Sequence, residues 1–219
     1  MLAVTSAPYV VAGQGRAVRS AYTDAVGFYP ALTMNAGNVW QPVRLVNLYV
    51  RHQPAEIANS DAVRWLGPVT PKRVGLALFG GYTLAILAGL WRRPDGPTLA
   101  RAAALSAFAF FMLPTQMHER YLVPAAALFA VTAGFDRNDR RLYVGVALSA
   151  AAHLAVQQYH ESVFPAARLH RVNRLLLDGP LLLLSIADVA LFAWATARYA
   201  AATVGRAKDG LQRFQKAGV

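Results

Sequence analysis

The chain has 219 residues, of which 56% are hydrophobic and 15% charged, and its mean hydropathy is +0.32. This composition is typical of a membrane protein with several spans and argues against an ordinary soluble domain. The formal net charge is +11, but the basic residues are scattered between apolar runs, which argues against nucleic acid and favours anionic lipid or lipid-linked phosphate as the partner. The chain has no cysteine, which excludes disulfides, thiolate metal sites and cysteine nucleophiles.

The first part of the chain lacks a complete membrane span. Residues 1–12 are apolar, but they contain Pro8 and are shorter than the roughly 20 residues that a hydrocarbon core requires, so we interpret them as a partial transmembrane segment. Residues 13–73 carry several prolines and aromatic residues and no uninterrupted apolar run of spanning length. Because aromatic rings are favoured at the membrane surface, we predict an extracytoplasmic loop with short interfacial helices here.

Five apolar segments alternate with polar turns over residues 74–203. This pattern predicts an all-α fold, a polytopic transmembrane helical bundle with interfacial helices in an outer loop. Residues 204–219 form a basic tail that we predict to be cytoplasmic. The five predicted spans are Val74–Trp91, Leu99–Leu113, Tyr121–Phe135, Leu142–Tyr159 and Pro180–Thr203.

Basic residues in the short turns determine the predicted orientation. The turns at 92–101 and 137–141 and the tail fall on one side of the membrane, which the positive-inside rule makes cytoplasmic. As many cations fall on the other side, but most of them belong to the long loop, which counts less. A short loop on that other side is also cationic, and its side chains are either anion contacts or lipid headgroup contacts: Arg168, His170, Arg171 and Arg174.

The triplet His118-Glu119-Arg120 lies between two apolar runs, where ionisable residues are costly and favour a functional interpretation. Thr115 after Pro114 predicts the N-cap of a helix that starts at Gln116, so the triplet would lie near the positive end of the helix dipole. There it would bind a phosphate, with His118 and Arg120 as anion ligands. The alternative is that Glu119 and Arg120 pair with each other and His118 is merely interfacial.

A second polar cluster contains Asn35, Asn38 and Trp40. Two amides beside an aromatic ring suit sugar hydroxyls, although the sequence Asn-Ala-Gly-Asn is also an ordinary turn.

A polar stripe is predicted on the fourth span, because His153, Gln157 and His160 share one helical face. Such a stripe should face the bundle interior, and Asp188 of the fifth span is a suitable partner for His153 or for an arginine. Metal binding by His153, His160 and Glu161 is the less favoured interpretation, because these residues do not share a single tight face. We therefore predict no metal site.

The motif Asn35-Ala36-x-Asn38-x-Trp40, followed downstream by Met117-His118-Glu119-Arg120-Tyr121-Leu122, resembles bacterial multi-span glycosyltransferases of the GT-C superfamily, particularly the mannosyltransferase-like proteins. The resemblance implies an integral protein of the bacterial plasma membrane whose site faces the extracytoplasmic side. It also implies transfer of a sugar, of mannose type, from a polyprenyl-phosphate carrier to an acceptor hydroxyl. The expected donor substrate is a lipid-linked sugar phosphate, and no cofactor is expected. The implied roles are donor-phosphate binding for His118 and Arg120, orientation for Glu119, and lining of the sugar or carrier for Asn35, Asn38 and Trp40.

One part of the superfamily pattern is missing. In these enzymes the acidic general base lies in the first outer loop, and no part of this sequence matches that loop. We therefore expect the chain to be the C-terminal portion of such an enzyme, inactive without the N-terminal half as its partner. Asp24 is a candidate base within the chain, although a lone Asp in a polar loop is usually only solvated.

Two other functions fit the same features. A flippase or transporter for lipid phosphate would use the same cations to hold phosphate, and a noncatalytic membrane assembly subunit would not need them for sugar transfer.

Overall fold

The computed structural model describes residues 7–8, 10–23, 29–65, 67–163 and 170–216, with side chains omitted at 21–23, 160–163, 170–177 and 205–216. Helices account for 75% of the structure and strands for 5%, which confirms the predicted helical class. The helices are α1 (Gly15–Thr23), α2 (Trp40–Leu45), α3 (Ala55–Ala58), α4 (Pro71–Arg92), α5 (Gly96–Met112), α6 (Val123–Thr132), α7 (Arg137–Val163) and α8 (His170–Lys216). Val46–Val50 adds a π-helical turn and Glu119–Leu122 a 3₁₀ turn, and two short strands, β1 (Thr33–Met34) and β2 (Met117–His118), pair in parallel.

Two of the described helices are long and apolar enough to cross a membrane. They are α4, over Pro71–Arg92, and the part of α8 over Asp178–Val204. Large apolar side chains on both helices point away from the protein, among them Leu84 and Leu183. Outward apolar surface of this kind suits lipid better than water.

The other predicted spans are shorter or more polar. Helix α5 is apolar but has 17 residues. Helix α6 has 10 residues, which gives a rise of about 15 Å against a hydrocarbon core of about 30 Å. Helix α7 carries four charged residues in its first turns. The described residues thus contain two candidate membrane-spanning helices, and the five-span bundle stays a prediction.

Helix α5 lies at the centre of the hydrophobic core. The ring of Phe108 meets Phe129 of α6 at 6.0 Å and Phe192 of α8 at 5.4 Å, both edge to face. Edge-to-face contacts satisfy the aromatic quadrupole while they bury apolar area. Phe108 thus connects three helices at one point.

Ion pairs join α5, α7 and α8 at one end of the helices, which we call the ion-pair end. Arg101 of α5 pairs with Asp139 of α7 at 2.6 Å, and Asp136 accepts hydrogen bonds from Arg101 and from Arg198 of α8. Arg93, after α4, pairs with Asp95 and donates to the carbonyl of Ala202. The basic turns that were predicted to lie on one side of the membrane therefore do meet at one end of the helices.

Asp136 caps α7 at this end. Partial burial opposes its ionisation, but the backbone N–H groups of Asn138 and Asp139 donate to its carboxylate. The guanidinium groups of Arg198 and Arg101 add favourable charge. Together these interactions lower the pKa of Asp136 below its ordinary value.

Substitution Asp136→Asn should lower the thermal midpoint at neutral pH, because Asn keeps the cap but loses the charge. Folding lowers this pKa, so the stabilisation is complete above the pKa of an unfolded aspartate, 3.8, and is lost as the pH falls through the lowered value. The difference between wild type and variant should therefore shrink under acid conditions in thermal unfolding scans in detergent. A difference of the same size at every pH would contradict this assignment.

Candidate functional site

The loop between β1 and α2 is anchored to the C-terminal end of α5. Asn38 donates from Nδ2 to the carbonyls of Phe111 and Pro114, at 3.3 and 3.5 Å, and its Oδ1 accepts from the backbone N–H of Trp40. Trp40 donates from Nε1 to the carbonyl of Leu113 at 2.7 Å. The last carbonyls of a helix lack hydrogen-bond partners within the helix, and the side chains of Asn38 and Trp40 provide donors for carbonyls at this end of α5.

This anchoring changes the expected role of the motif. Asn38 is 0% exposed and Trp40 is 3% exposed, and neither lines the neighbouring cleft. We expected both side chains to line a sugar or carrier, but their polar groups are already bonded to the protein. In this structure Asn38 and Trp40 hold the loop against the end of α5. Asn35 is the residue of the motif that lines the cleft among the described residues.

The same loop is bonded to the predicted polar face of α7. Asn35 donates from Nδ2 to Oε1 of Gln157 at 2.7 Å, and the N–H of Gly37 donates to Nε2 of His153 at 2.9 Å. Because Nε2 accepts, Nδ1 carries the proton and donates to the carbonyl of Ser149 at 2.9 Å. His153 is therefore a buried structural residue.

The expected partner of His153 lies close to it. Oδ2 of Asp188 is 3.8 Å from Nε2 of His153, too far for a hydrogen bond. Neither carboxylate oxygen of Asp188 has a hydrogen-bond partner among the described residues. No group of three or more metal-ligating residues occurs in the described part of the chain. The side chains of His160 and Glu161, named in the metal alternative, lie outside it.

The second motif adopts a different local structure from the one predicted. Thr115 caps no helix: its Oγ1 donates to Oδ2 of Asp61 at 2.8 Å, and Gln116 has a φ of 64°. His118 lies in a strand, and the α-helix begins only at Val123. The prediction of a helix starting at Gln116 was wrong, because residues 117–118 pair with β1, and Pro124, which lacks an N–H, fits only the first turn of a helix.

The parallel pairing of β1 with β2 brings the two sequence motifs together. Thr33 is opposite Met117 and Met34 is opposite His118, and Asn35 bridges to His118 as well. The result is a cavity of about 640 Å³ at the end of the helices opposite the ion-pair end, which we call the motif cleft. Its walls include Asn35, His118, Glu119 and Arg120 together with Tyr29, Glu56, Asn59 and Gln157.

The triplet presents both charge signs to the motif cleft. Arg120 is exposed, stacks over the ring of Tyr121 at 6.0 Å, and forms no ion pair with the described residues. Nδ1 of His118 is 3.7 Å from Oε2 of Glu119, whose side chain is buried. Glu119 therefore faces His118 rather than Arg120, which argues against the simple Glu119–Arg120 pair. Arg120 remains available to an external anion.

Several cleft residues were not identified from the sequence. Glu56 stands on the four-residue helix α3 and presents an exposed carboxylate to the cleft. Tyr29 meets the ring of His118 edge to face at 6.4 Å. Both come from the long loop, and only the tertiary fold brings them to the triplet. Nothing in the local sequence around Glu56 distinguishes it from a solvated surface residue.

Other predicted site residues fall outside the described parts. Asp24, the candidate base, and Arg168 lie in segments that the structure does not describe. His170, Arg171 and Arg174 belong to the first turns of α8, where side chains are not described.

Comparison of the chain with protein-family models, curated proteins and solved structures gives no match. Assignment of a function therefore depends on the motif cleft and on the two motifs that form it. The GT-C resemblance stays a prediction.

Substitution Gly37→Ala should destabilise the protein. A β-carbon there would lie 2.7 Å from Nε2 of His153 and 3.0 Å from the backbone nitrogen of Ser185. Overpacking of this kind costs about 1–3 kcal/mol, so thermal unfolding in detergent should show a lower midpoint. The control is Gly80→Ala on α4, where the added carbon meets open space. Equal midpoints for the two variants would contradict tight packing of the loop.

Proposed function

We propose that this chain is part of a multi-span membrane glycosyltransferase, similar to the GT-C mannosyltransferase-like enzymes, that uses a polyprenyl-phosphate sugar as its donor. The observation that carries the proposal is the β1–β2 pairing, which puts Asn35 of the first motif and the His118–Arg120 triplet of the second in one cleft. The cleft volume of about 640 Å³ is within the usual range for a small-molecule site.

The chemistry of the cleft suits the departing lipid phosphate. Arg120 offers a guanidinium that forms no ion pair with the described residues, and a guanidinium forms strong two-pronged hydrogen bonds with phosphate. His118 can donate a further hydrogen bond, and the buried Glu119 beside it orients the ring. Cations aimed at a leaving group stabilise the negative charge that develops on it in the transition state. Donor-phosphate stabilisation is thus the role we assign to the triplet.

The general base has two candidate sources. In the GT-C enzymes that this chain resembles, the general base lies in a first outer loop. No part of this sequence matches that loop, so in this case an N-terminal half of the enzyme would contribute the base. The described chain offers Glu56, an exposed carboxylate on the wall of the same cleft. If Glu56 were the base, Glu56→Gln would abolish sugar transfer and leave donor binding unchanged. If the base comes from elsewhere, the same variant would retain transfer.

The distribution of charge supports a membrane orientation for this proposal. Arg137, Arg140 and Arg141 lie in the first turns of α7 at the ion-pair end, whereas the motif cleft is at the other end. The positive-inside rule then favours an extracytoplasmic cleft in the bacterial plasma membrane. In this arrangement α5, α6 and α7 complete a five-span bundle with α4 and α8.

Variants His118→Ala and Arg120→Ala should each weaken binding of polyprenyl-phosphate mannose by the purified chain. A hydrogen bond to a charged group contributes about 1.5–3 kcal/mol, which corresponds to about 10- to 100-fold in the dissociation constant. Native mass spectrometry in detergent measures this constant directly. Arg92→Ala, an exposed arginine at the ion-pair end of α4, is the matched control and should bind as wild type does.

Wild-type binding by both cleft variants would disprove the site assignment. Loss of donor binding with normal sugar transfer in the complete enzyme would instead favour a lipid-phosphate transporter or an assembly subunit.

A further inference from the structure

A second cavity, of about 680 Å³, lies on the segment between β1 and α4, and it shares no residue with the motif cleft. Pro42, Val43, Val46, Val63 and Trp65 form its apolar walls, and we call it the arginine groove because Arg51 and Arg64 are its charged residues. None of the described residues that line it carries a carboxylate. The groove therefore combines apolar walls with two positive charges, those of Arg51 and Arg64.

The positive charge continues beyond the groove. Arg64 also lines a neighbouring recess that contains Lys72 and Arg73, in the first turn of α4. Among the described residues of that recess the carboxylate is Asp61, which is buried and accepts hydrogen bonds from Thr115 and Gln116. The Asp61 carboxylate is thus bonded within the protein, and the described part of the recess holds no other carboxylate to neutralise Arg64, Lys72 and Arg73.

Apolar surface surrounds the groove. The ring of Trp65 packs at a tilt against the buried Trp40, with ring centroids 6.0 Å apart, yet 44% of Trp65 remains exposed. Val46 and Val50, on the π-helical turn, are exposed as well. Because α4 is long and apolar enough to cross a membrane and starts at Pro71, this surface adjoins the end of a candidate span. Aromatic and aliphatic side chains beside cations at that level suit the boundary between headgroups and acyl chains.

We propose that the arginine groove binds one anionic phospholipid. An acyl chain packs against Val43, Val46 and Trp65, and the phosphate binds to the guanidinium groups of Arg51 and Arg64. Charge complementarity selects this occupant: a zwitterionic lipid would bring a choline or ethanolamine cation towards two arginines. The inference depends on the position of α4 in a membrane and is independent of the glycosyltransferase proposal.

The test is native mass spectrometry of the full chain in detergent, titrated with phosphatidylglycerol or with phosphatidylcholine of the same acyl chains. Wild type should bind one phosphatidylglycerol more tightly than any phosphatidylcholine. Each cation near an anionic lipid contributes about fivefold in affinity, so Arg64→Gln should weaken the tight site by about fivefold and the pair Arg51→Gln/Arg64→Gln by about 25-fold.

Two controls separate this site from general electrostatic attraction. The charge-matched pair Arg92→Gln/Arg141→Gln removes two exposed arginines at the ion-pair end and should leave the tight lipid bound. Arg51 also donates to Asn47, so the double variant could fail to fold for that reason alone. The single variant Arg64→Gln breaks no side-chain hydrogen bond among the described residues and keeps the test valid in that case.

Equal binding of the two lipids, or an unchanged preference in Arg64→Gln, would overturn the proposal. Displacement of the lipid by inorganic phosphate at millimolar concentration would overturn it too, because the groove would then recognise phosphate without the acyl chain. Binding of polyprenyl-phosphate mannose should remain normal in the groove variants, and phosphatidylglycerol binding should remain normal in His118→Ala. A failure of one proposal is thus distinguishable from a failure of the other.

Discussion

The hydrogen bonds that hold residues 35–40 against the helices are the constraint on which the motif cleft depends. Asn38 and Trp40 bond to the end of α5, Gly37 to His153 of α7, and Ser185 of α8 donates to the carbonyl of Asn38. The bonds of Asn38, Gly37 and Ser185 are buried and that of the Trp40 ring is partly buried, and an unmade hydrogen bond in such surroundings is costly. They fix the position of β1, β1 fixes β2, and β2 aims the His118–Arg120 triplet into the cleft.

Because of these hydrogen bonds, the residues of the first motif have different roles. Asn38, Gly37 and Trp40 build the loop, whereas Asn35 bridges to Gln157 and also lines the cleft. A sequence motif of this kind therefore combines one cleft residue with several that hold it in place. The second motif divides similarly, since the buried Glu119 lies beside His118 and leaves Arg120 exposed and unpaired by the described residues.

The sequence allowed correct predictions for features that depend on residues close together along the chain. The helical class and the shared polar face of His153 and Gln157 followed from hydropathy and helical spacing, and in the structure both side chains bond to the loop between β1 and α2. The helix start at Thr115 failed because a strand from the distant segment around Thr33 pairs with residues 117–118, and no nearby residue encodes that pairing. The burial of Asn38 and Trp40 and the presence of Glu56 in the cleft were inaccessible for the same reason. An amide that bonds backbone carbonyls and an amide that binds a sugar have the same appearance in a sequence.

We propose that the motif cleft holds the phosphate of a polyprenyl-linked sugar. Photo-crosslinking tests this with a polyprenyl-phosphate mannose analogue that carries its reactive group next to the phosphate, followed by peptide mapping. We expect crosslinks at residues 118–120 and at Asn35, with competition by unlabelled donor. Crosslinks confined to the arginine groove or to the ion-pair end would contradict it.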